Sequence, residues 1–178
     1  MDRQSLISSL KNYKSSFEEE MKFIQPFLKL LNHQDCFLRT HLPGHITGSA
    51  WIVNKDRTKT LLVHHGKLNR WMQPGGHADG DENVLRVSLK EAEEETGLKY
   101  FKPNDQIFDI DIHTIPVRKD FPEHLHFDIR FLLEGSEEEK VVVSEESHDV
   151  KWVLLSELEN YAQERSVLRM KEKLFLHG

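Results

Sequence analysis

An α+β fold, in which a mixed β-sheet carries one central helix and is flanked by others, is predicted by three observations. Apolar residues step by three and four over the first ~35 residues, which is helical periodicity. After Pro43-Gly44 the pattern changes to short β-favouring runs separated by turn signals. Between those runs, Pro74 to Leu98 reads as loop, helix and stop.

Taking the elements in order, Leu6, Leu10, Tyr13, Phe17, Ile24, Leu28 and Leu31 lay out two helices. Pro26 is placed in the first turn of the second, where its missing N–H is unneeded. This pair reads as a helical extension packed on the body of the domain; a homodimer contact or a lid over the site would use the same apolar stripe. Next, "HITGSAWIVN" and "TKTLLVHH", split by the polar "KDRT", carry a hairpin-like signature. "QIFDIDIHTIPV", "HLHFDIRFLLEG" and "KVVVSEESHDVKWV" are strand-like, and "SELENYAQERSVLRMKEKLFL" closes the chain as helix. The order of elements fits an α+β or three-layer arrangement.

The chain has 178 residues, 38% hydrophobic and 30% charged, which suits one ordinary domain able to bury its own core. Its start, "MDRQSLISSLKNYK", lacks the basic head and apolar run of a secretory signal, and no apolar stretch approaches the ~20 residues that span a bilayer. A cytoplasmic protein with no membrane partner is expected. Cys36 stands alone, so an internal disulfide is excluded, a thiol-based zinc site is disfavoured, and the residue reads as a small buried hydrophobe. A net charge of -6 argues against nucleic acid as a partner but leaves room for a local cationic patch serving an anionic small molecule.

The stretch from Pro74 carries the chemistry. Pro74-Gly75-Gly76 suits a sharp turn whose backbone approaches a ligand closely, and Asp79-Gly80 supplies a second turn. Asp81 is the expected N-cap, with Glu82 in the first turn where the helix dipole favours an acid. Val84, Leu85, Leu89 and Ala92 face a core, and Gly97 fits the left-handed stop with Leu98 after it. Glu91, Glu94 and Glu95 are spaced i, i+3 and i+4, so their carboxylates share one face, while Glu93 is rotated roughly 160 to 200° from Glu91 and Glu95. Such a trio is either a solvated face or a nest for a hard cation such as Mg²⁺, which takes oxygen ligands.

Gly76, five residues, Glu82, seven residues, then "KEAEEETGL" resembles the Nudix box: G, five residues, E, seven residues, R-E-U-x-E-E-x-G-U, with U bulky and apolar. Gly76, Glu82, Glu91, Glu94, Glu95, Gly97 and Leu98 match. Lys90 stands where the box has arginine and Ala92 where it has a bulky apolar residue. Lysine keeps the charge but loses the planar fork, which weakens its hold on the glutamates. With "WMQPGG" before and "DVKWVLLSEL" after, the resemblance to the Nudix hydrolase family runs from about Gly44 to Leu158.

That resemblance implies a Nudix-like α/β/α sandwich, a mixed sheet with the box helix, spanning residues 41–178 and preceded by a helical extension over 1–40. It implies metal-dependent hydrolysis of phosphoric anhydride bonds in a nucleoside diphosphate linked to another moiety, with Mg²⁺ or Mn²⁺ as cofactor and a small nucleotide as substrate. Carried over by position, Glu91, Glu94 and Glu95 are the catalytic metal ligands, with the carbonyl of Gly75 or Gly76 a further one and Glu91 also a candidate general base. Glu82 supports the loop and the helix start. The family's habit of recruiting an acid from a later loop points to Glu145 and Glu146.

Around this frame, Lys55, Arg57, Lys59, Lys67 and Arg70 suggest a basic entrance for phosphate, and Trp71 is a candidate for stacking on a base. Lys67, Arg70, Trp71 and His126 are thus the candidate substrate-binding residues. His124 and His126 alternate onto one strand face with Asp128, where they could bind a metal or phosphate or pack as ordinary side chains. Clustered carboxylates raise one another's pKa, so activity should rise with pH and Mg²⁺ together. The rival expectation is a catalytically weak nucleotide-binding sensor module with the same fold, and a third is a structural oligomer built on the N-terminal helices.

Overall fold

In the computed structural model, residues 1–117 and 121–176 are described. Helices α1 (Arg3–Asn12) and α2 (Glu18–Leu30) come first, as the apolar spacing predicts. The Asp2 carboxylate caps α1 by accepting from the Ser5 amide at 2.8 Å, and Leu6 and Leu10 are fully buried. α2 opens on Glu18, Glu19 and Glu20, so Pro26 lies inside the helix and not in its first turn. An interior proline costs about 3 kcal/mol; burial of Phe27, whose ring meets Phe127 edge-on at 5.3 Å, and of Leu30 offsets it by fixing the helix on the sheet.

The strands are β1 (Gly44–Val53), β2 (Lys59–His65), β3 (Arg70–Met72), β4 (Gly75–His77), β5 (Phe101–Ile115), β6 (His124–Gly135) and β7 (Ser147–Leu154). They form one sheet ordered β3-β2-β1-β6-β5, with β4 paired to β1 and β7 to β2. β1 and β6 are parallel and every other pairing is antiparallel, so the sheet is mixed. The expected hairpin is present: Ile52 pairs with Leu61, Asn54 Oδ1 accepts from the Thr58 and Lys59 amides, and Arg57 takes the left-handed turn position with φ 53°.

Between β4 and β5 runs α3 (Val84–Thr96), the box helix, which ends on Gly97 at φ 76° as expected. Its start differs from expectation. Asn83 is the N-cap, accepting from the Arg86 amide, whereas Asp81 turns the preceding loop by accepting from the Asn83 amide and pairs with Arg86. Glu82 falls outside the helix, and its carboxylate takes Arg3 from α1 at 2.8 Å. Asp81 and Asn83 are both good capping residues two positions apart, and the long-range pull of Arg3 on Glu82 was invisible in local sequence. Two further readings shift: residues 140–146, read as strand, are not strand, and the closing segment, read as one helix, splits into a short 3₁₀ helix (Leu155–Asn160) and α4 (Arg165–Leu176).

Alternation along β1 puts Ile46, Ala50 and Ile52 into a core shared with α1, α2 and α3, and Trp51 and Val53 into a second core beneath the 3₁₀ helix and α4. The result is an α/β/α sandwich with an N-terminal helical extension. The apolar stripe of that extension is spent on the chain's own core, through Leu6, Leu10, Phe27, Leu30 and Leu31. Beside the second core lies a buried polar stripe. Thr47 and Ser49 donate to Asp128, Arg130 holds Asp128, Asp109 and Asp111, and Arg169 of α4 holds Asp109 and Asp111. Burial works against ionisation of Asp111, yet His113 and the two arginines hold its carboxyl at about 2. Lys173 joins Asp109 to the buried Glu20, tying α2 to α4. No helix among the described residues is long and apolar enough to cross a membrane.

Candidate active site

Gly75 and Gly76 do not merely turn: with His77 they form β4, in register with Ser49, Gly48 and Thr47 of β1. The absence of side chains is what allows this. A Cβ on Gly76 would stand 2.5 Å from the Glu91 carboxyl carbon, and one on Gly75 would stand 2.1 Å from Ser49 Oγ. Gly48 admits α3 in the same way, since a Cβ there would meet Val84 at 3.0 Å. Gly76 and Gly48 therefore let a helix carrying acids lie directly on the sheet, and Gly75 lets β4 close against Ser49 of β1.

The three box glutamates differ sharply in environment. Glu95 is 8% exposed, and its Oε2 accepts from the Gly75 amide at 2.9 Å. Burial, reinforced by Glu91, Glu146 and Glu94, pushes its pKa up to about 8 despite that hydrogen bond. Glu91 lies against Gly76 and its pKa is also raised, first by burial and then by Glu94. Glu94 is more exposed and meets Lys90 through one contact at 3.6 Å, the loose hold expected of lysine in place of arginine. Glu93 points away and pairs with Lys99 at 2.6 Å, as the helical rotation required.

Of the two later acids, only the charge of Glu146 acts on both Glu91 and Glu95. Its carbonyl accepts from the Gly66 amide at 2.8 Å, fastening this loop to the β2–β3 turn. The side chains of Glu145 and Glu146 are both exposed.

Positive charge arrives from an unanticipated place. Arg39, in the segment joining α2 to β1, forms a two-point ion pair with Asp79, which sits in the left-handed region at φ 49°. That pairing lowers the Asp79 pKa, and Arg39 also feels Glu91 and Glu146. Forty residues separate Arg39 from Asp79, so no local pattern could have paired them.

The expected basic entrance is only partly assembled. Lys55, Arg57 and Lys59 sit at the hairpin beyond Val53, about 17 Å of strand from Gly48, the partner of Gly76. Lys59 is paired with Glu137. Lys67 lies in the β2–β3 turn next to Gly66, beside the Glu146 loop. Arg70, on β3, reaches Glu164 at 3.4 Å. Trp71 is half-buried, stacked on His64 at 5.0 Å, edge-on to Tyr161, with the Lys151 ammonium 5.7 Å from its ring.

His126 is elsewhere. Successive strand residues alternate faces, so while Gly76 lies under Glu91, His77 projects to the opposite side, where it meets His45 and His126. One ligand atom from each of His45, His77 and His126 lies within 4.8 Å of the others, a group able to hold a metal. Burial depresses the pKa of all three, to about 4 for His77 and about 2 for His126. His124 and Asp128 do share this face, but Asp128 is engaged by Arg130, Thr47 and Ser49. His77 stood in the box loop and His45 opened β1, yet only strand pairing brings them to His126.

Comparison with known proteins agrees with this geometry. The family model described as NUDIX domain matches residues 44–172. A probable DHNTP pyrophosphohydrolase from Lactococcus lactis subsp. cremoris (strain MG1363) is 28% identical over 138 residues, covering 76% of this chain and 81% of that protein. The crystal structure of a NUDIX-family hydrolase from Clostridium perfringens is 25% identical with a TM-score of 0.53, covering 75% of this chain and 98% of the other. The C. elegans Ap4A hydrolase in a binary complex is similar in fold, with a TM-score of 0.60 at 15% identity over 74% of this chain and 96% of that one.

Proposed function

Because this chain belongs to the NUDIX domain family, we propose that it is a pyrophosphohydrolase, dependent on Mg²⁺ or Mn²⁺, that cleaves the diphosphate bond of a small nucleotide-type substrate. The observation that carries this reading is the Glu91 carboxylate packed on Gly76 beside the buried Glu95, with the charges of Glu94 and Glu146 acting on both. Acids so arranged repel one another, and a hard divalent cation is the partner that relieves them. Glu91, Glu94, Glu95 and the Gly76 carbonyl are the groups that would hold it. When bound, such a cation offsets phosphate charge and lowers the pKa of an attacking water.

The chain's own residues supply the rest. Glu91, half-enclosed with its pKa raised by burial and by Glu94, is a better proton acceptor than an ordinary carboxylate, and Glu145 and Glu146 are the other candidate bases. Gly75 orients Glu95 through its amide. Arg39 counters negative charge at the rim, joined by Lys67 on the turn beside Glu146 and by Arg70 at the start of β3, and Trp71 offers an aromatic face to a base. Glu82 acts at a distance, holding the loop to α1 through Arg3.

The test is a panel of nucleotide sugars, ADP-ribose, dinucleoside polyphosphates, nucleoside triphosphates and DHNTP, the last suggested by the Lactococcus relative. Metal-dependent release of phosphate or nucleoside monophosphate is measured for the parent and Glu94→Gln. Glu94 is chosen because its side chain is exposed and makes one loose contact, so the variant should fold normally. The expected result is at least ~10-fold slower turnover of the best substrate; equal rates would refute the site. A nucleotide-binding module of slow turnover is the second reading, favoured by the single contact of Lys90, and it predicts tight binding without product release.

A further inference from the structure

Strand register builds a row of histidines on the face opposite the box helix. His45 of β1 lies beside His126 of β6, which lies beside His113 of β5. His124 precedes His126 by one alternation, and β4 brings His77 alongside β1 two positions from His45. The ring centres of His45, His77 and His126 form a nearly equilateral triangle, at 5.2, 5.0 and 5.0 Å. His124 stacks on His45 at 5.0 Å and meets His126 at 5.1 Å.

The hydrogen bonds determine which nitrogens carry lone pairs. His45 Nδ1 faces the His41 carbonyl at 3.3 Å; a carbonyl only accepts, so Nδ1 carries the proton. Its Nε2 is then a bare lone pair, and among the described residues it is buried with no hydrogen-bond partner in a side chain of 0% exposure. His124 follows the same logic. Nδ1 donates to the Pro122 carbonyl at 2.9 Å, leaving a lone pair on Nε2, which stands 3.3 Å from His126 Nε2. His126 Nε2 is therefore the donor of that hydrogen bond, which places His124 at the edge of the cluster. The bare lone pair of His45 Nε2 repels an anion, so a phosphate is the wrong occupant. Imidazole nitrogens without carboxylates favour a borderline first-row cation over Mg²⁺.

We propose a second metal site, separate from the glutamate nest, in which His45, His77 and His126 bind one Zn²⁺ ion, with His124 held at its edge by His126. The carbonyl of His41 orients the His45 ring, as partners of metal-bound imidazoles commonly do. An ion there ties β4 to β1 and β6, and since Gly76 immediately precedes His77, it fixes the strand on which Glu91 rests. The site's role is positional, and it stands whether or not the chain hydrolyses a diphosphate.

The test uses the full chain, stripped with chelator and refilled with Zn²⁺ or Co²⁺ in the presence of excess Mg²⁺. One equivalent of zinc by elemental analysis is expected, with Co²⁺ giving the intense visible bands of a four-coordinate site made of three imidazoles and a solvent molecule. His45→Asn and His126→Asn should lose that equivalent while keeping their far-ultraviolet circular dichroism, and Glu94→Gln should retain it. Zinc lost in Glu94→Gln but kept in the histidine variants overturns the proposal, since the ion would then belong to the carboxylates. Should the histidine variants unfold, zinc-edge X-ray absorption of the unaltered protein decides: imidazole scattering at about 2.0 Å supports the site, and an oxygen-only shell or no bound zinc refutes it.

Discussion

Replacing Glu95 by glutamine should separate what this residue does for folding from what it does for metal. The folded carboxyl has its pKa raised from 4.5 to about 8, chiefly by burial. The folded state therefore holds a proton that the unfolded state releases between those values. Its contribution to stability is complete below about pH 4.5 and is lost as pH rises toward 8. At ~1.4 kcal/mol per pH unit, the metal-free parent should lose roughly 3–4 kcal/mol between pH 5 and pH 8 on account of this group. Glutamine can still accept from the Gly75 amide, but it does not titrate. Urea denaturation in chelator, at both pH values, should find the variant gaining on the parent by that amount as pH rises, or about 10 °C in Tm for a chain of this size. Saturating Mg²⁺ at pH 8 should stabilise the parent more than the variant, which keeps Glu91 and Glu94 but has lost one of the carboxylates that the cation neutralises. Parallel stability curves for the two proteins would refute the raised pKa, and equal stabilisation by Mg²⁺ would remove Glu95 from the metal nest.

Gly76→Ala should fold, since the group it strikes is the end of the flexible Glu91 side chain. Displacing that carboxylate should lower kcat by ~10-fold or more, with thermal melts within a few degrees of the parent; unimpaired turnover would show that Glu91 need not rest on β4. Lys90→Arg should tighten the single 3.6 Å contact to Glu94 into a two-point one. The expected reading is a lower Mg²⁺ concentration for half-maximal rate, and an unchanged metal titration would discount the lysine as a determinant. Gly97→Ala combines a left-handed backbone position with a Cβ placed 2.6 Å from the Val142 Cβ. A loss of about 1–3 kcal/mol is expected by urea denaturation, and a neutral result would mean that the loop carrying Val142 yields freely.

Much of this molecule was fixed by short-range pattern. Helical spacing in the first 31 residues, the polar turn between β1 and β2, and the glycine that stops α3 each follow from backbone geometry and burial within a few residues, and each appears where expected. The shared face of Glu91, Glu94 and Glu95 is likewise a consequence of 3.6 residues per turn. The N-cap of α3 shows where that reach ends. Asp81 and Asn83 are equally good acceptors, and Asn83 caps the helix while Asp81 is held by Arg86. Pro26 was assigned to a helix start on local cost alone, and the long-range burial of Phe27 and Leu30 overrode it.

Tertiary structure alone decided which distant groups share a charge environment. Electrostatic effects act through space and burial multiplies them, whereas sequence records only order along the chain. Three acids spaced along one helix became a buried Glu95, a half-enclosed Glu91 and an exposed Glu94 because β4 slides under one end of α3. Glu146 joined them through a backbone bond to Gly66, and Arg39 came from outside the box altogether. The histidines illustrate the same physics on the other face: His45, His77 and His126 lie in three separate strands, and only the pairing of those strands makes them neighbours.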